Sequence, residues 1–199
     1  IVKHLGQFGI QLLETPPQEI KIKYHGDIAV DDTSILTRTF VTHLLKPHFG
    51  EEVNIINALY YLNERDVTYK VEKKAKADGY TNYLEVELLN DNEHVTLGAS
   101  TIPGYGERLV KINNYPIDFR PEENILIIEH TDRPGIIGEL GALLGEDHVN
   151  IASMQLARQS KEGDAMVLFT LDNAVGQKTH EKIKDILNIR RVHTIKLEK

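Results

Sequence analysis

The chain has no cysteine, no surplus of basic charge and no apolar run long enough to span a bilayer. Without thiols it forms no disulfides, uses no thiolate nucleophile and ligates no iron–sulfur cluster through its own cysteines. The formal net charge of −7, from 23 Lys and Arg against 30 Asp and Glu, argues against a nucleic-acid surface, which needs a basic face. No secretory signal opens the sequence. There is no initiator Met, and the first residues read as a helix already under way. The expectation is a fragment of a longer, cytoplasmic protein. No βαβ unit carries Gly-x-Gly-x-x-Gly; Gly104-Tyr105-Gly106 lacks the third glycine and reads as a turn. The nine histidines show no close metal-ligand pair: His43 and His48, five apart, suit one helix face poorly. The expectation is therefore no resident cofactor, no metal, no nucleic acid and no membrane.

What remains is an ordinary apolar fraction of 41% over 199 residues, enough for one or two cores. Ile1, Leu5, Phe8, Leu12 and Leu13 recur near helical spacing, and Thr15-Pro16-Pro17 stops that helix. Glu19 to Tyr24 alternates as a half-buried strand does. Asp31-Asp32-Thr33-Ser34 supplies capping chemistry for a helix over 35–49 with Ile35, Leu36, Phe40, Leu44 and Leu45 inward. A second helix is predicted over 53–64. Strands follow at 68–73, 83–89, 95–101 and 108–112. Asn113-Asn114 closes a hairpin onto 116–120. Lys70 to Lys76 is read as an exposed strand end and loop. The polar break at 120–124 marks the boundary between domains 1–121 and 122–199. Beyond it the pattern is βαββαβ: strands at 125–129, 151–159, 165–171 and 192–197, helices at 134–144 and 177–187. That is the order of a ferredoxin-like sandwich, so the fold class is α+β: an α/β first domain followed by a ferredoxin-like βαββαβ domain.

The most specific segment is Thr131-Asp132-Arg133-Pro134-Gly135-Ile136-Ile137-Gly138-Glu139-Leu140, followed by Val149-Asn150-Ile151. It is built as an amino-acid receptor rather than a catalytic centre. Pro134 suits the first turn of a helix, and Gly135 lets a ligand approach the backbone. The N–H groups from Gly135 and Ile136 onward attract a carboxylate. His130, Asp132 and Asn150 then read an amine or hydroxyl. Each also has a plainer reading: Asp132 as a helix cap, Asn150 as a turn residue, His130 as a strand-end histidine facing water.

Residues 127–135 and 149–155 resemble ACT regulatory domains. Leu5-Gly6, Tyr24-His25-Gly26-Asp27, Leu44-Leu45-Lys46-Pro47 and 53–58 resemble the allosteric substrate-binding (intervening) domain of long-form D-3-phosphoglycerate dehydrogenases. The ordered pair is more specific than either part. The resemblance implies a C-terminal regulatory portion of an enzyme that oxidises 3-phosphoglycerate with NAD, the first step of L-serine synthesis. It implies L-serine as feedback effector at His130, Asp132, Pro134, Gly135 and Ile136, with Asn150 contributed by the partner of a homo-oligomer joined through ACT domains. It also implies a candidate site for phosphate or a phosphorylated metabolite at Arg108 and Arg120. A two-residue turn at Asn113-Asn114, however, pairs residue 108 with 119 and puts Arg120 on the opposite face. Two other readings stay open: the regulatory part of an L-serine dehydratase, and a free-standing ACT amino-acid sensor.

Overall fold

A computed structural model describes residues 1–77, 79–160 and 163–198. Lys199, the last residue of the second expected domain, lies outside the described residues. Contacts divide the chain into two units, Ile1–Asn114 with Asp118–Pro121, and Tyr115–Ile117 with Glu122–Lys199.

The first unit runs α1 (Val2–Leu12), β1 (Glu19–Gly26), a short 3₁₀ turn, α2 (Ser34–Phe49), a second 3₁₀ turn, α3 (Ala58–Asn63), β2 (Thr68–Lys74), β3 (Asn82–Leu89), β4 (His94–Ile102) and β5 (Gly106–Ile112); β6 (Tyr115–Phe119) follows, its residues divided between the two units. The sheet order is β2-β1-β3-β4-β5-β6. β1 and β2 are parallel, which is why the helical crossover between them is long. β1 alternates as its sequence demands: Ile20, Ile22 and Tyr24 are fully buried, and Lys21 and Lys23 project from the other face. The Tyr24 hydroxyl, buried with its ring, shares a hydrogen bond of 3.0 Å with Thr37 on α2. Against α1, Gly6 is a spacing residue. A Cβ there would lie 2.5 Å from the Phe40 carbonyl oxygen and 2.9 Å from the Leu44 nitrogen, so α1 and α2 approach backbone to backbone.

Two elements differ from expectation. Ile35 is 60% exposed, while α2 buries Thr37, Phe40, Val41, Leu44 and Leu45. Nine residues from Leu44 at 100° each is about 180°, the opposite side of the helix. The helix expected over 53–64 is only Ala58–Asn63. Before it, the Asn57 side chain accepts the Asn54 N–H at 2.8 Å, and the Asn54 side chain accepts the N–H groups of Ile56 and Asn57. These local bonds hold a turn where propensity alone suggested continuous helix. β2 is exposed along its whole length, as read for the Lys70 to Lys76 run.

The sheet face away from Ile20 and Ile22 carries a charge lattice. Glu85 accepts hydrogen bonds from Lys23 (3.0 Å), Lys111 (2.8 Å) and the Tyr83 hydroxyl (3.0 Å). Burial by itself would raise the Glu85 carboxyl, but the bonds from Lys111, Lys23 and Tyr83 outweigh it and hold its pKa at about 2. The folded value thus lies below the ordinary one of about 4.3. The lattice's contribution should be complete above about pH 5 and disappear as pH falls toward the folded value. In urea titrations, wild type should exceed Glu85→Gln at about pH 5 and converge with it near pH 2; a gap constant with pH would refute this.

The second unit runs β7 (Asn124–Thr131), α4 (Ile136–Glu146), β8 (Ile151–Arg158), β9 (Asp164–Leu171), α5 (Gln177–Lys184) and β10 (Ile189–Lys196). The antiparallel order β10-β7-β9-β8 is the ferredoxin-like one. Leu126, Ile128, Val167, Phe169 and Leu171 pack against Ile136, Leu140 and Leu144 of α4 and Ile183 of α5. The four-residue spacing of Ile136, Leu140 and Leu144 puts them on one face of α4. Among the described residues, no helix is long and apolar enough to cross a membrane.

Candidate functional site

The site is built where β7 ends and α4 begins. β7 pairs along its full length with β9, from Asn124 opposite Leu171 to Thr131 opposite Asp164. β8 pairs with β9 from Ile151 opposite Leu171 to Arg158 opposite Ala165. The ends of β7 and β8 therefore lie at one end of the sheet, with Asp132 and Gly135 just beyond β7.

His130 shares the helix-facing side of β7 with Leu126 and Ile128. It is 1% exposed, so the reading of a strand-end histidine facing water is overturned. Its Nδ1 lies 3.1 Å from the Thr131 carbonyl oxygen, which can only accept, so Nδ1 carries the proton. In the neutral ring Nε2 is then an acceptor, and it is buried with no hydrogen-bond partner. Asp132 is anchored by its N–H, which donates to the Gly163 carbonyl at 2.8 Å. Its carboxylate lies 3.3 Å from Nε of Arg158.

α4 starts at Ile136, not at Pro134. Pro134 lies before the cap, where its fixed φ and missing N–H shape the turn into the helix. Gly135 is the cap residue at φ +90°, a conformation that penalises any Cβ. The first full helical bond is Glu139 N–H to the Gly135 carbonyl at 3.0 Å, so the N–H groups of Ile137 and Gly138 have no intrahelical partner. Arg133 locks this start: its guanidinium forks onto Glu139 at 2.9 and 2.6 Å, and its Nε reaches the Leu187 carbonyl at 3.4 Å. The bond from Arg133 holds the Glu139 carboxyl below its ordinary range.

Asn150 is elsewhere. It precedes β8, at the other end of the sheet, where its side chain donates to Asp172 at 2.6 Å. Seven residue steps of β7 separate the two ends, about 23 Å. Within one chain His130, Asp132 and Gly135 come together and Asn150 does not join them. β8 is an edge strand, with Ala152, Ser153 and Met154 exposed. On α4 the positions Gly138, Gly141 and Gly145 face open space: a Cβ there would meet nothing within 4 Å.

In the first unit, Nε of Arg108 lies 3.6 Å from the Asp118 carboxylate and its guanidinium stands over the Tyr105 ring. Arg120 is exposed, past the end of β6. Arg108 therefore faces an acid of the neighbouring strand. Among the described residues, no group of three or more His, Asp or Glu is arranged to hold a metal. Sequence reading missed Arg158 and the Arg190–Asp164 pair (2.7 Å), whose partners are far apart in the chain; only the Arg133–Glu139 spacing carried a local signal.

Residues 1–113 match the family described as the D-3-phosphoglycerate dehydrogenase intervening domain, and residues 124–188 match the ACT domain. Among curated proteins, the D-3-phosphoglycerate dehydrogenase of Bacillus subtilis (strain 168) is 33% identical over 197 residues, covering 99% of this chain and 37% of the relative. The protein of the same name from Methanocaldococcus jannaschii is 30% identical over 197 residues, with the same coverage. That from Synechocystis sp. is 31% identical over 200 residues, covering 99% of this chain and 36% of the relative. The chain thus spans little more than a third of the length of these relatives.

Proposed function

Because the chain belongs to the D-3-phosphoglycerate dehydrogenase family, through its intervening and ACT domains, we propose that it is the regulatory part of such an enzyme and binds L-serine as feedback effector between two ACT domains. The observation that carries this is the convergence of the His130 acceptor, the Asp132 carboxylate and the N-terminus of α4 at one end of the sheet. The effector carboxylate sits on the N–H groups from Gly135 onward, where the helix dipole favours negative charge. Asp132 takes the ammonium group and Nε2 of His130 accepts from the hydroxyl.

The 23 Å gap to Asn150 is closed by a second copy. If two β8 edges pair antiparallel about a two-fold axis, the start of one strand meets the end of the other, and the partner's Asn150 arrives beside Asp132. The exposed glycines of α4 let the two helices approach over that seam. A C2 pair built this way carries two equivalent sites. A homodimer is therefore expected by light scattering at tens of micromolar, and Met154→Lys in the exposed edge should shift it toward monomer. A wild-type monomer with and without L-serine would refute the arrangement.

The parent enzyme, on this reading, is a cytoplasmic NAD-dependent dehydrogenase of 3-phosphoglycerate. The chain itself has no dinucleotide fingerprint, and its expected activity is nil: the purified protein should not reduce NAD with 3-phosphoglycerate above a blank. Reduction above the blank would refute this. The ordered pair of domains and the names of the relatives favour this reading over a dehydratase subunit or a free-standing sensor.

A further inference from the structure

The end of the ACT sheet that holds the effector site is crowded with paired charges. Arg133 is forked onto Glu139 at 2.9 and 2.6 Å, and Nη1 of Arg190 sits on Asp164 at 2.7 Å. Asp132 is paired with Arg158, Nε to Oδ2, at 3.3 Å. The two partners differ in depth: the Asp132 side chain is 13% exposed and that of Arg158 51%. Asp132 is also fixed from behind by its backbone bond to Gly163, whereas Arg158 ends an edge strand. The carboxylate is seated and the guanidinium is the arm that can leave.

We propose that Arg158 is a built-in competitor for the effector's ammonium group at Asp132, and that it thereby sets both the affinity of the site and its preference for amines. This rests on the effector reading above. A deep carboxylate without a counter-ion would be costly in the empty site, and Arg158 supplies that counter-ion. Effector binding then exchanges one cation for another on the same oxygens. The gain from the ammonium is reduced by the pairing it displaces. A ligand without an amine displaces nothing and gains nothing at Asp132, so discrimination falls on the amine. The exchange also buffers the site against salt, because screening weakens the outgoing and incoming pairs together.

The test is calorimetry on the full 199-residue chain with L-serine and with 3-hydroxypropanoate, which keeps the carboxylate and hydroxyl but lacks the amine. With Arg158 itself 51% exposed the pair contributes little, so Arg158→Gln should bind L-serine about two- to fivefold more tightly. Arg158→Lys keeps the competing charge and should stay within about twofold of wild type. Raising the salt should weaken L-serine binding to Arg158→Gln more than to wild type. Affinity for 3-hydroxypropanoate should not rise in Arg158→Gln. Equal or weaker serine binding by Arg158→Gln, with wild type binding normally, overturns the competitor and leaves the effector site standing. A gain shared by 3-hydroxypropanoate also overturns it, because Arg158 would then merely obstruct the pocket. If neither wild type nor Arg158→Gln takes up L-serine at millimolar concentration, the effector reading itself falls, and this inference with it.

Discussion

Asp132→Ala should weaken L-serine binding by about ten- to a hundredfold, and Asn150→Ala by a similar factor, since a charge-assisted hydrogen bond contributes roughly 1.5–3 kcal/mol and each 1.4 kcal/mol is tenfold. The two losses have different origins. Asp132 lies beside the start of α4 in the same chain, so its removal strips the ammonium partner directly. Asn150 lies at the far end of the sheet and, in the proposed arrangement, would act only across a two-fold pair, so its effect should vanish under conditions that dissociate the dimer. D-serine and glycine are the controls: a site that reads both amine and hydroxyl should reject them. Wild-type affinity in both variants would move the effector elsewhere. If phosphate then bound in a manner abolished by Arg108→Ala or Arg120→Ala, the first unit would be the sensor and the ACT pair a dimerisation device.

Gly26→Ala should strongly destabilise the first unit. Gly26 ends β1 at φ +86°, where a Cβ is strained, and that Cβ would lie 2.0 Å from the Thr81 carbonyl oxygen. The neighbouring Asp27 N–H donates to the same carbonyl at 3.2 Å, so Thr81 cannot withdraw without losing the bond that closes the turn. With ψ at −150° this is a region essentially only glycine enters, so strain of about 1–3 kcal/mol and overpacking of about 1–3 kcal/mol together predict a loss of roughly 2–6 kcal/mol. For a domain whose whole stability is about 5–15 kcal/mol, that is a large fraction. Gly104→Ala is the control. It also has a positive φ, +79°, but open space around the added Cβ, so it carries positive-φ strain without the clash. Urea unfolding of the two variants separates the contributions; equal midpoints would show that the clash is relieved at no cost.

Much of the architecture was legible from local patterns because local forces decide it. The alternation of Ile20, Ile22 and Tyr24 allows only one face of β1 to be buried, and the βαββαβ order follows from where apolar period two gives way to period 3.6. Asp-Arg-Pro-Gly marks a chain reversal into a helix, because proline and glycine have few other uses in that order. Where two local preferences competed, the reading slipped. Asn54 and Asn57 bond the backbone and hold a turn in place of a longer helix, and Pro134 shapes the approach to α4 without entering it.

Other features belonged to tertiary structure alone. The helical period groups Phe40 with Leu44, but only the packing of α1 against α2 shows that Ile35 is left out. That His130 is buried with an unpartnered Nε2 goes with the pairing of β9 and β10 on either side of it, which nothing in its sequence neighbours' identities dictates. Asp132 and Arg158 are 26 residues apart and meet because β8 and β7 finish at the same end of the sheet. Residue order by itself determined that this is a two-domain α+β chain with a Pro-Gly turn leading from a strand into a helix. The long-range register of the strands decided which charges face each other at that turn, because hydrogen-bonded pairing, unlike helical or strand periodicity, joins residues that no local pattern relates.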